Sequence, residues 1–254
     1  MNNRHPEIIL PEPEIQRELG RRTRRGFLIG GIAATAGIGA YEWMQSVEEE
    51  DGTPKLERRL MDANGTLAHA YLSDSRLMPS YSPADVRELK PNGNFGLEKP
   101  LSGGWQLTVK TGLGPALHLS LADIQALPRV EMITNFCCIE GWNTIVRWAG
   151  ARFSDFAKKY FPPGENLPPY VSMITPDEAY YVGLDAKSAM HPQTLLAYEY
   201  GGQPLTREHG APLRLVIPVK YGIKNIKRIG AIEFTDKKPG DYWAEQGYDW
   251  FAGL

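Results

Sequence analysis

The main candidates for a chemical function in this 254-residue chain are two adjacent cysteines, Cys137 and Cys138, with Glu140 and Trp142 close behind them in the sequence. Neighbouring cysteines rarely bond to each other, because the small ring strains the peptide between them, so we treat them as two thiols. No CxxC or HxxxH spacing accompanies the pair, which disfavours zinc. Two interpretations remain open: two small buried apolar side chains, or one thiolate that binds a soft metal already held by other ligands.

A second candidate block lies further along the chain, in residues 209–218 (HGAPLRLVIP) and 220–227 (KYGIKNIK). Arg214 offers a planar fork of donors, and Lys224 and Lys227 offer point charges that suit a phosphate group. Gly222 allows the backbone to come close, and successive amides through Asn225 and Ile226 could line an anion. The block therefore predicts a phosphate site, and the alternative is a basic strand edge in water.

Both blocks carry a family resemblance. Residues 138–142 (CIEGW) resemble the C-x-E-[AG]-W segment of molybdopterin-dependent oxidoreductases with the sulfite oxidase fold, and the later block resembles the HGxPxR and KYGxKxIK segments of that family. The resemblance covers the chain from about residue 75 to the C-terminus. It implies two-electron oxygen-atom transfer or reduction at a cysteine-ligated molybdenum centre, on sulfoxide-type substrates.

The resemblance also implies roles for individual residues. Cys138, and not Cys137, supplies one sulfur to molybdenum and is the catalytic metal ligand, while the dithiolene of Mo-molybdopterin supplies two more. The same comparison places a cofactor-binding set in this chain: Asn92, Asn94, Thr175, His209, Arg214, Lys224, Asn225, Ile226 and Lys227. The register of residues 91–96 leaves open whether Asn92 or Asn94 meets the cofactor, and the local alternative is an Asn-Gly turn.

Departures from the family pattern bear on the substrate. Sulfite oxidases carry arginines just after the cysteine segment to hold a sulfur oxyanion, whereas this chain has Glu140 to Asn143 there. Sulfite is therefore not the expected substrate, although a sulfite-oxidising enzyme stays an alternative. An aromatic mouth for a neutral or sulfur-containing substrate is one interpretation of Trp142, Trp148, Tyr181 and His191, and packing in the core is the favoured alternative for each tryptophan. His191 is the candidate proton donor to a leaving oxygen, and the favoured alternative is a histidine in a surface loop.

Two other classes of function compete with the molybdenum enzyme. A cofactor-free binding domain would leave the coexistence of Cys138, Arg214 and the lysines without a reason. A Cys-His hydrolase built from Cys138 with His191 or His209 lacks an orienting Asn or Asp at a recognisable spacing. Because the sequence contains no CxxCH haem motif and no cluster cysteines, a redox function requires an electron partner, either a membrane haem subunit or a soluble cytochrome.

Composition indicates the elements that must position these residues. The 20 prolines and 26 glycines favour many short strands over a helical bundle, and the predicted class is α+β, strand-rich mixed sheets with short helices. A net charge of −2 excludes a broad nucleic-acid surface. Strands are predicted at residues 105–110, 129–136, 170–175, 180–182, 194–200, 213–218 and 227–234. Helices are predicted at residues 120–127, capped by Ser120, and at residues 154–160, capped by Ser154.

The N-terminal segment is predicted to direct export. Residues 23–28 (TRRGFL) resemble the twin-arginine pattern, whose machinery exports folded proteins, and residues 26–41 carry no charge. At 1.5 Å per residue that run spans about 24 Å as a helix, short of the bilayer core. We therefore predict a twin-arginine signal or N-terminal anchor over 1–45, a linker over 46–70 and the oxidoreductase domain over 71–254, located in the periplasm or on the outer face of the inner membrane.

Overall fold

The computed structural model describes residues 12–46, 49–50, 53–98 and 104–254. The chain divides into two compact units, residues 1–48 with 54–56, and residues 49–53 with 57–254. The helices are α1 (Glu12–Gln45), α2 (Lys55–Tyr71), α3 (Leu121–Gln125), α4 (Phe153–Tyr160) and α5 (Ala186–Ala189). The strands are β1 (Glu49–Glu50), β2 (Thr53–Pro54), β3 (Leu107–Lys110), β4 (Leu117–Leu119), β5 (Arg129–Cys137), β6 (Asn143–Arg152), β7 (Tyr170–Ile174), β8 (Tyr181–Asp185), β9 (Leu195–Tyr200), β10 (Gln203–Pro204), β11 (Arg214–Val216) and β12 (Ala231–Thr235). Short 3-10 turns lie at Pro83–Asp85, Gly222–Lys224 and Ala244–Gln246.

The first unit contains α1, a helix of 34 residues. This one helix includes both the twin-arginine pattern and the uncharged run that follows it. Among the described helices, none combines the length and the apolar composition that crossing a bilayer needs. The assignment of residues 1–45 to a signal or anchor stays a prediction.

Most of the segment predicted as a linker, residues 46–70, belongs to the 17-residue helix α2. Its Arg58 is 1% exposed and donates to the carbonyl oxygens of Ala244 at 2.6 Å and Tyr248 at 3.1 Å. Those carbonyls belong to the C-terminal segment, so α2 packs with the folded domain from residue 57 onwards. The sequence did not predict this contact, because arginines are mostly exposed and nothing in the local sequence marks Arg58 as a buried one.

Two five-stranded sheets form the domain. In the first, the strand order is β10-β9-β6-β5, and β11 also pairs with β9. In the second, the order is β4-β3-β12-β7-β8, and the pairing of β12 with β3 is parallel while the other pairs are antiparallel. Such mixed sheets with short helices confirm the predicted α+β class.

Strand β6 is central to the first sheet and was missing from the predicted strands. It pairs with β5 over nine residue pairs and with β9 on its other side, with a register shift between Ala149 and Gly150. A Cβ at Gly150 would lie 2.1 Å from the carbonyl oxygen of Leu196, so only glycine allows the two backbones this approach. The β-branched residues Thr144, Ile145 and Val146 were the available strand signal.

Side-chain capping sets the first residue of helix α3, whereas packing of apolar side chains sets the first residue of α4. Ser120 caps α3 with a reciprocal capping box to Asp123, as predicted. Helix α4 instead begins at Phe153, after an N-cap Arg152 that makes no side-chain capping bond, so the predicted cap Ser154 is wrong. Phe153 and Phe156 are completely buried. Burial of such side chains is worth about 1.5–3 kcal/mol each, more than a cap contributes.

Candidate functional site

A cavity of about 310 Å³ lies where five segments of the chain meet. Its walls come from residues 89–95, from the end of β5 and the turn that follows it, from Tyr180 before β8, from residues 209–227, and from Trp243 and Tyr248 near the C-terminus. The cavity therefore collects side chains that are far apart in sequence.

The cysteine pair sits at the entrance to the β5–β6 turn. Cys138 donates its backbone N–H to the carbonyl of Trp142 at 2.9 Å and accepts from Gly141 at 3.1 Å, and Gly141 has φ +89°. Cys138 is 7% exposed and lines the cavity, whereas Cys137 does not. The Cys137 thiol lies 3.4 Å from the side-chain amide of Asn135, and burial raises its pKa. Of the two thiols, only Cys138 faces the space where a cofactor could bind.

Asn92 and Glu140 meet next to the Cys138 thiol. The side-chain amide of Asn92 lies 3.8 Å from Cys138 Sγ and 3.3 Å from a Glu140 carboxylate oxygen. Trp142 Nε1 donates to the same oxygen at 2.9 Å, and these donors lower the pKa of Glu140. Asn92 lines the cavity and Asn94 does not. In this geometry Asn92 is the candidate contact to the cofactor.

The buried Arg214 and the half-buried Lys227 line the cavity. The guanidinium of Arg214 donates to the carbonyls of His209 at 3.0 Å and Asn225 at 3.1 Å and lies 4.7 Å from the Trp148 ring centroid. Burial lowers its pKa to about 9, which leaves it charged at neutral pH. Lys227 Nζ donates to the carbonyl of Asn92 at 2.7 Å, and burial lowers its pKa to about 8.

The partners of Arg214 and Lys227 are carbonyl oxygens, and no carboxylate in the described part of the chain forms an ion pair with either. Buried charges are normally paired, since leaving one without a counter-charge is costly. Two such cations on one cavity wall indicate that the cavity is built for an anionic group.

His209 also lines the cavity, stacked on Tyr200 with ring centroids 4.3 Å apart. Its Nε2 lies 3.1 Å from the carbonyl oxygen of Leu89, which can only accept, so Nε2 carries the proton. Nδ1 lies 2.8 Å from the Thr206 hydroxyl, and burial lowers the pKa of the ring. Both nitrogens already have protein partners, so the predicted donation from His209 to the pterin requires that one of these bonds be exchanged.

Other predicted cofactor residues do not reach the cavity. Lys224 is fully buried and its ammonium pairs with Asp241 and donates to the carbonyl of Gly183 at 2.9 Å. Ile226 is fully buried in the core. The Thr175 hydroxyl is bound to Asp177 and Tyr180, and the side chain is 1% exposed. These three side chains make their contacts inside the protein and stabilise the loops that line the cavity.

Asn225 is an intermediate case. It lines the cavity, but its side-chain oxygen accepts from the backbone of Ile217 at 2.8 Å and its amide donates to the carbonyl of Tyr221 at 3.1 Å. Its side chain therefore fixes the loop of residues 217–225, and its carbonyl holds Arg214.

The predicted proton donor His191 is misplaced. It is fully buried in the turn between α5 and β9, where Nδ1 accepts from the backbone of Gln193 at 3.3 Å and Nε2 lies 3.4 Å from the Arg76 carbonyl. Burial lowers its pKa, and it does not line the cavity. The aromatic mouth also needs correction: Trp142 lines the cavity, but Trp148 is fully buried beneath Arg214, and Tyr181 is bound to Glu245 away from it.

Different aromatic residues form the wall. Phe95, Tyr180, Trp243 and Tyr248 line the cavity, and Phe95 and Tyr248 are partly exposed. Phe95 stacks parallel to Tyr180 with centroids 6.1 Å apart, and Trp243 meets Tyr248 edge-on at 5.3 Å. The sequence signal for Trp243 and Tyr248 was only the high aromatic content of the last fifteen residues, which has no strand or helix period.

The side chains fit a cofactor that brings most of its own metal ligands. No group of three or more His, Cys, Asp or Glu side chains capable of holding a metal occurs in the described ranges, so protein ligands alone would not retain one. A single thiol beside two uncompensated cations suits a metal held by a soft organic ligand with an anionic tail. Molybdopterin, with its dithiolene and its phosphate, has that composition.

Comparison with known proteins identifies the family. The family described as "Oxidoreductase molybdopterin binding domain" matches residues 97–243. The chain is 41% identical over 236 residues to the "Putative protein-methionine-sulfoxide reductase subunit YedZ1" of Azospira oryzae, covering 91% of this chain and 86% of that protein. It is 36% identical over 172 residues to the "Protein-methionine-sulfoxide reductase catalytic subunit MsrP" of Campylobacter jejuni, covering 59% of this chain and 56% of that protein.

Among solved structures, the sulfane dehydrogenase SoxCD from Paracoccus pantotrophus aligns with a TM-score of 0.47 and 18% identity, over 53% of this chain and 39% of that one. Against the MsrP relatives the matched part is only about half of their length. The family match and the Azospira relative nevertheless confirm the resemblance of the cysteine and lysine segments. The chain belongs to the oxidoreductases with a molybdopterin-binding domain, and it is a molybdenum-dependent oxidoreductase.

Proposed function

We propose that this protein binds Mo-molybdopterin and reduces sulfoxides, methionine sulfoxide in proteins among them, after export from the cytoplasm. The observation that carries the proposal is the Cys138 thiol in a cavity lined by the buried Arg214 and the half-buried Lys227, whose hydrogen-bond partners are backbone carbonyls. The names of the Azospira and Campylobacter relatives, both protein-methionine-sulfoxide reductase subunits, support the substrate class.

Different residues bind different parts of the cofactor. Cys138 binds the metal through its sulfur, and Arg214 and Lys227 bind the phosphate through their donors. Asn92 holds its amide beside the Cys138 sulfur, within reach of a group bound there. When bound, the cofactor supplies the two-electron redox chemistry that removes an oxygen atom from the substrate. The aromatic wall of Phe95, Trp243 and Tyr248 then offers an apolar surface for a neutral sulfur compound.

The reaction consumes two electrons and two protons for each sulfoxide and releases a thioether and water. The chain contains no haem motif, so the electrons come from a partner, for which we propose a membrane haem subunit. The twin-arginine pattern of residues 23–28 supports export of the folded, cofactor-loaded chain through the twin-arginine machinery. The proposed location is the periplasm or the outer face of the inner membrane, with the N-terminal helix as signal or anchor.

The adjacent cysteines provide a matched pair of variants for the test. Cys138→Ser removes the thiol that lines the cavity, and Cys137→Ser removes its neighbour that does not. We expect Cys138→Ser to reduce dimethyl sulfoxide with reduced viologen at least about 100-fold more slowly than the wild type, because losing even a group that only supports a metal ligand costs about 10- to 100-fold. Cys137→Ser is expected to retain wild-type molybdenum content and rate.

The other hypotheses give different results in the same assay. A cofactor-free binding domain contains no molybdenum in the wild type, and a cysteine hydrolase loses activity in Cys138→Ser without any dependence on the metal. A sulfite-oxidising enzyme reduces an electron acceptor with sulfite and leaves sulfoxides unchanged. Equal molybdenum content and equal rates in the two serine variants would contradict the assignment of Cys138.

A further inference from the structure

Glu140 is held at the opening of the cavity. It is exposed, it lines the cavity, and one of its carboxylate oxygens accepts from Trp142 Nε1 at 2.9 Å and from the Asn92 amide at 3.3 Å. The same Asn92 amide nitrogen lies 3.8 Å from Cys138 Sγ. Because the Asn92 amide nitrogen lies close to both atoms, the Glu140 carboxylate oxygen is near the Cys138 sulfur. Two donors fix a negative charge beside the thiol, where a mobile surface glutamate would sample many positions.

The other charged side chains around the cavity differ from Glu140 in burial and in how firmly they are held. Arg214 is buried and Lys227 is half-buried, and a bound phosphate group would neutralise both. Once they are neutralised, the charged side chains left among the lining residues are Glu140, which two hydrogen bonds hold in place, and the exposed Lys90, whose charge helps to lower the pKa of Glu140. The fixed charge next to the reacting position is then negative.

We propose that Glu140 determines substrate charge, so that the cavity admits neutral sulfoxides and disfavours anionic ones. This inference rests on the proposed sulfoxide reduction and assigns its specificity to one side chain. A unit charge about 7 Å from a substrate anion, in surroundings close to water, changes the anion's apparent affinity about 3- to 10-fold. The preference acts through space, so it decreases with added salt.

The test uses two substrates that differ in charge but undergo the same reaction, dimethyl sulfoxide and methylsulfinylacetate. The measured quantity is the ratio of kcat/KM for methylsulfinylacetate to that for dimethyl sulfoxide, in holoenzyme with reduced viologen. In Glu140→Gln we expect this ratio to rise about 3- to 10-fold over the wild type at low salt, and by less at 0.5 M salt. Lys90→Gln is expected to lower it, because the opposite charge is removed.

Glu165→Gln is the control, because it removes an equal charge from an exposed position that does not line the cavity, and its ratio should equal that of the wild type. An unchanged ratio in Glu140→Gln, or equal loss of kcat/KM for both substrates, overturns the charge assignment and points to a purely positioning role. A shift of the same size in Glu165→Gln also overturns it, because the effect then comes from net charge.

A binding measurement separates this inference from the proposed function. If the wild-type holoenzyme reduces neither sulfoxide, sulfoxide reduction is contradicted, and calorimetric titration with the unreactive dimethyl sulfone and methylsulfonylacetate still decides the inference. Tighter binding of methylsulfonylacetate to Glu140→Gln than to the wild type, with dimethyl sulfone unchanged, supports the charge assignment. Equal binding of the anionic sulfone to both proteins refutes it.

Discussion

Lys224 and Lys227 are three residues apart in the same basic segment, yet the fold uses them in opposite ways. The ammonium of Lys224 is fully buried and pairs with the carboxylate of Asp241. The ammonium of Lys227 faces the cavity and is held by the carbonyls of Asn92 and Gly93. One lysine therefore has a counter-charge within the protein, and the other is available for a counter-charge that a ligand brings.

The same division holds for two larger groups of cations. Arg214 lines the same cavity as Lys227 and, like it, is held by backbone carbonyls, those of His209 and Asn225. Lys220 resembles Lys224: its ammonium lies 3.5 Å from an Asp185 oxygen, and burial lowers its pKa to about 7. Cations paired inside the protein hold the C-terminal segment against the second sheet, and that segment supplies Trp243 and Tyr248 to the cavity. Pairing thus distinguishes structural cations from ligand-binding ones.

The largest expected effect comes from removing the internal counter-charge. Asp241→Ala leaves the buried Lys224 without its paired carboxylate and removes the acceptor for the backbone N–H groups of Gly183 and Ala244. We expect the free energy of unfolding to fall by about 3–5 kcal/mol, as measured by urea denaturation. The double variant Lys224→Met with Asp241→Leu should recover most of this loss, since it buries no charge. A loss below about 1 kcal/mol in Asp241→Ala would mean that the pair does not hold the segment.

A smaller effect is expected on the ligand-binding side, from Lys227→Met. Sulfate is a suitable probe for the cofactor-free protein, because its charge is constant between pH 7 and 9. Bound sulfate favours the charged form of Lys227, so above the pKa of about 8 binding must take up a proton, and the affinity decreases as pH rises. Below pH 8 the lysine is already charged and the affinity is level.

In the wild type we therefore expect sulfate affinity by calorimetry to fall about tenfold from pH 7 to pH 9. Lys227→Met should bind about tenfold more weakly at pH 7 and show no such dependence on pH. Lys158→Met, an exposed lysine on α4, is the control and should behave like the wild type. A pH dependence that persists in Lys227→Met would assign the titration to another group.

The sequence could identify the segments of the site but not the direction in which each side chain points. The lysine segment predicted an anion site, and nothing in its sequence distinguished Lys224 from Lys227 as a ligand. The 3-10 turn Gly222–Lys224 rotates Lys224 towards Asp241, a residue of the C-terminal segment that no local pattern connects to it. For the cysteines, the resemblance of residues 138–142 did distinguish the two, and Cys138 is the one that lines the cavity.

Predictions that depended on tertiary packing were the ones that failed. His191 was expected either at a mouth or in a surface loop, but its side chain is fully buried, and Trp148 packs in the core instead of at a mouth. The aromatic wall comes from Phe95, Tyr180 and the C-terminal Trp243 and Tyr248, and the C-terminal segment has no periodic pattern from which its path could be derived. The α+β class was predictable because turn residues and short alternating runs are local features, whereas strand β6 was missed although its β-branched residues were visible.

The smallest effect is expected for an ion pair that resembles the Lys224–Asp241 pair in chemistry but not in burial. Lys238 and Asp62 form a bridge of 3.0 Å with side chains 40% and 46% exposed. Asp62→Ala should change the free energy of unfolding by less than about 0.5 kcal/mol, because water already solvates both groups. Added salt should reduce even that difference by screening, and should leave the loss in Asp241→Ala largely unchanged. Equal losses in Asp62→Ala and Asp241→Ala would show that pairing itself matters. Unequal losses attribute the stabilisation to the need of a buried cation for a partner, and by the same reasoning the buried Arg214 depends on an anionic ligand.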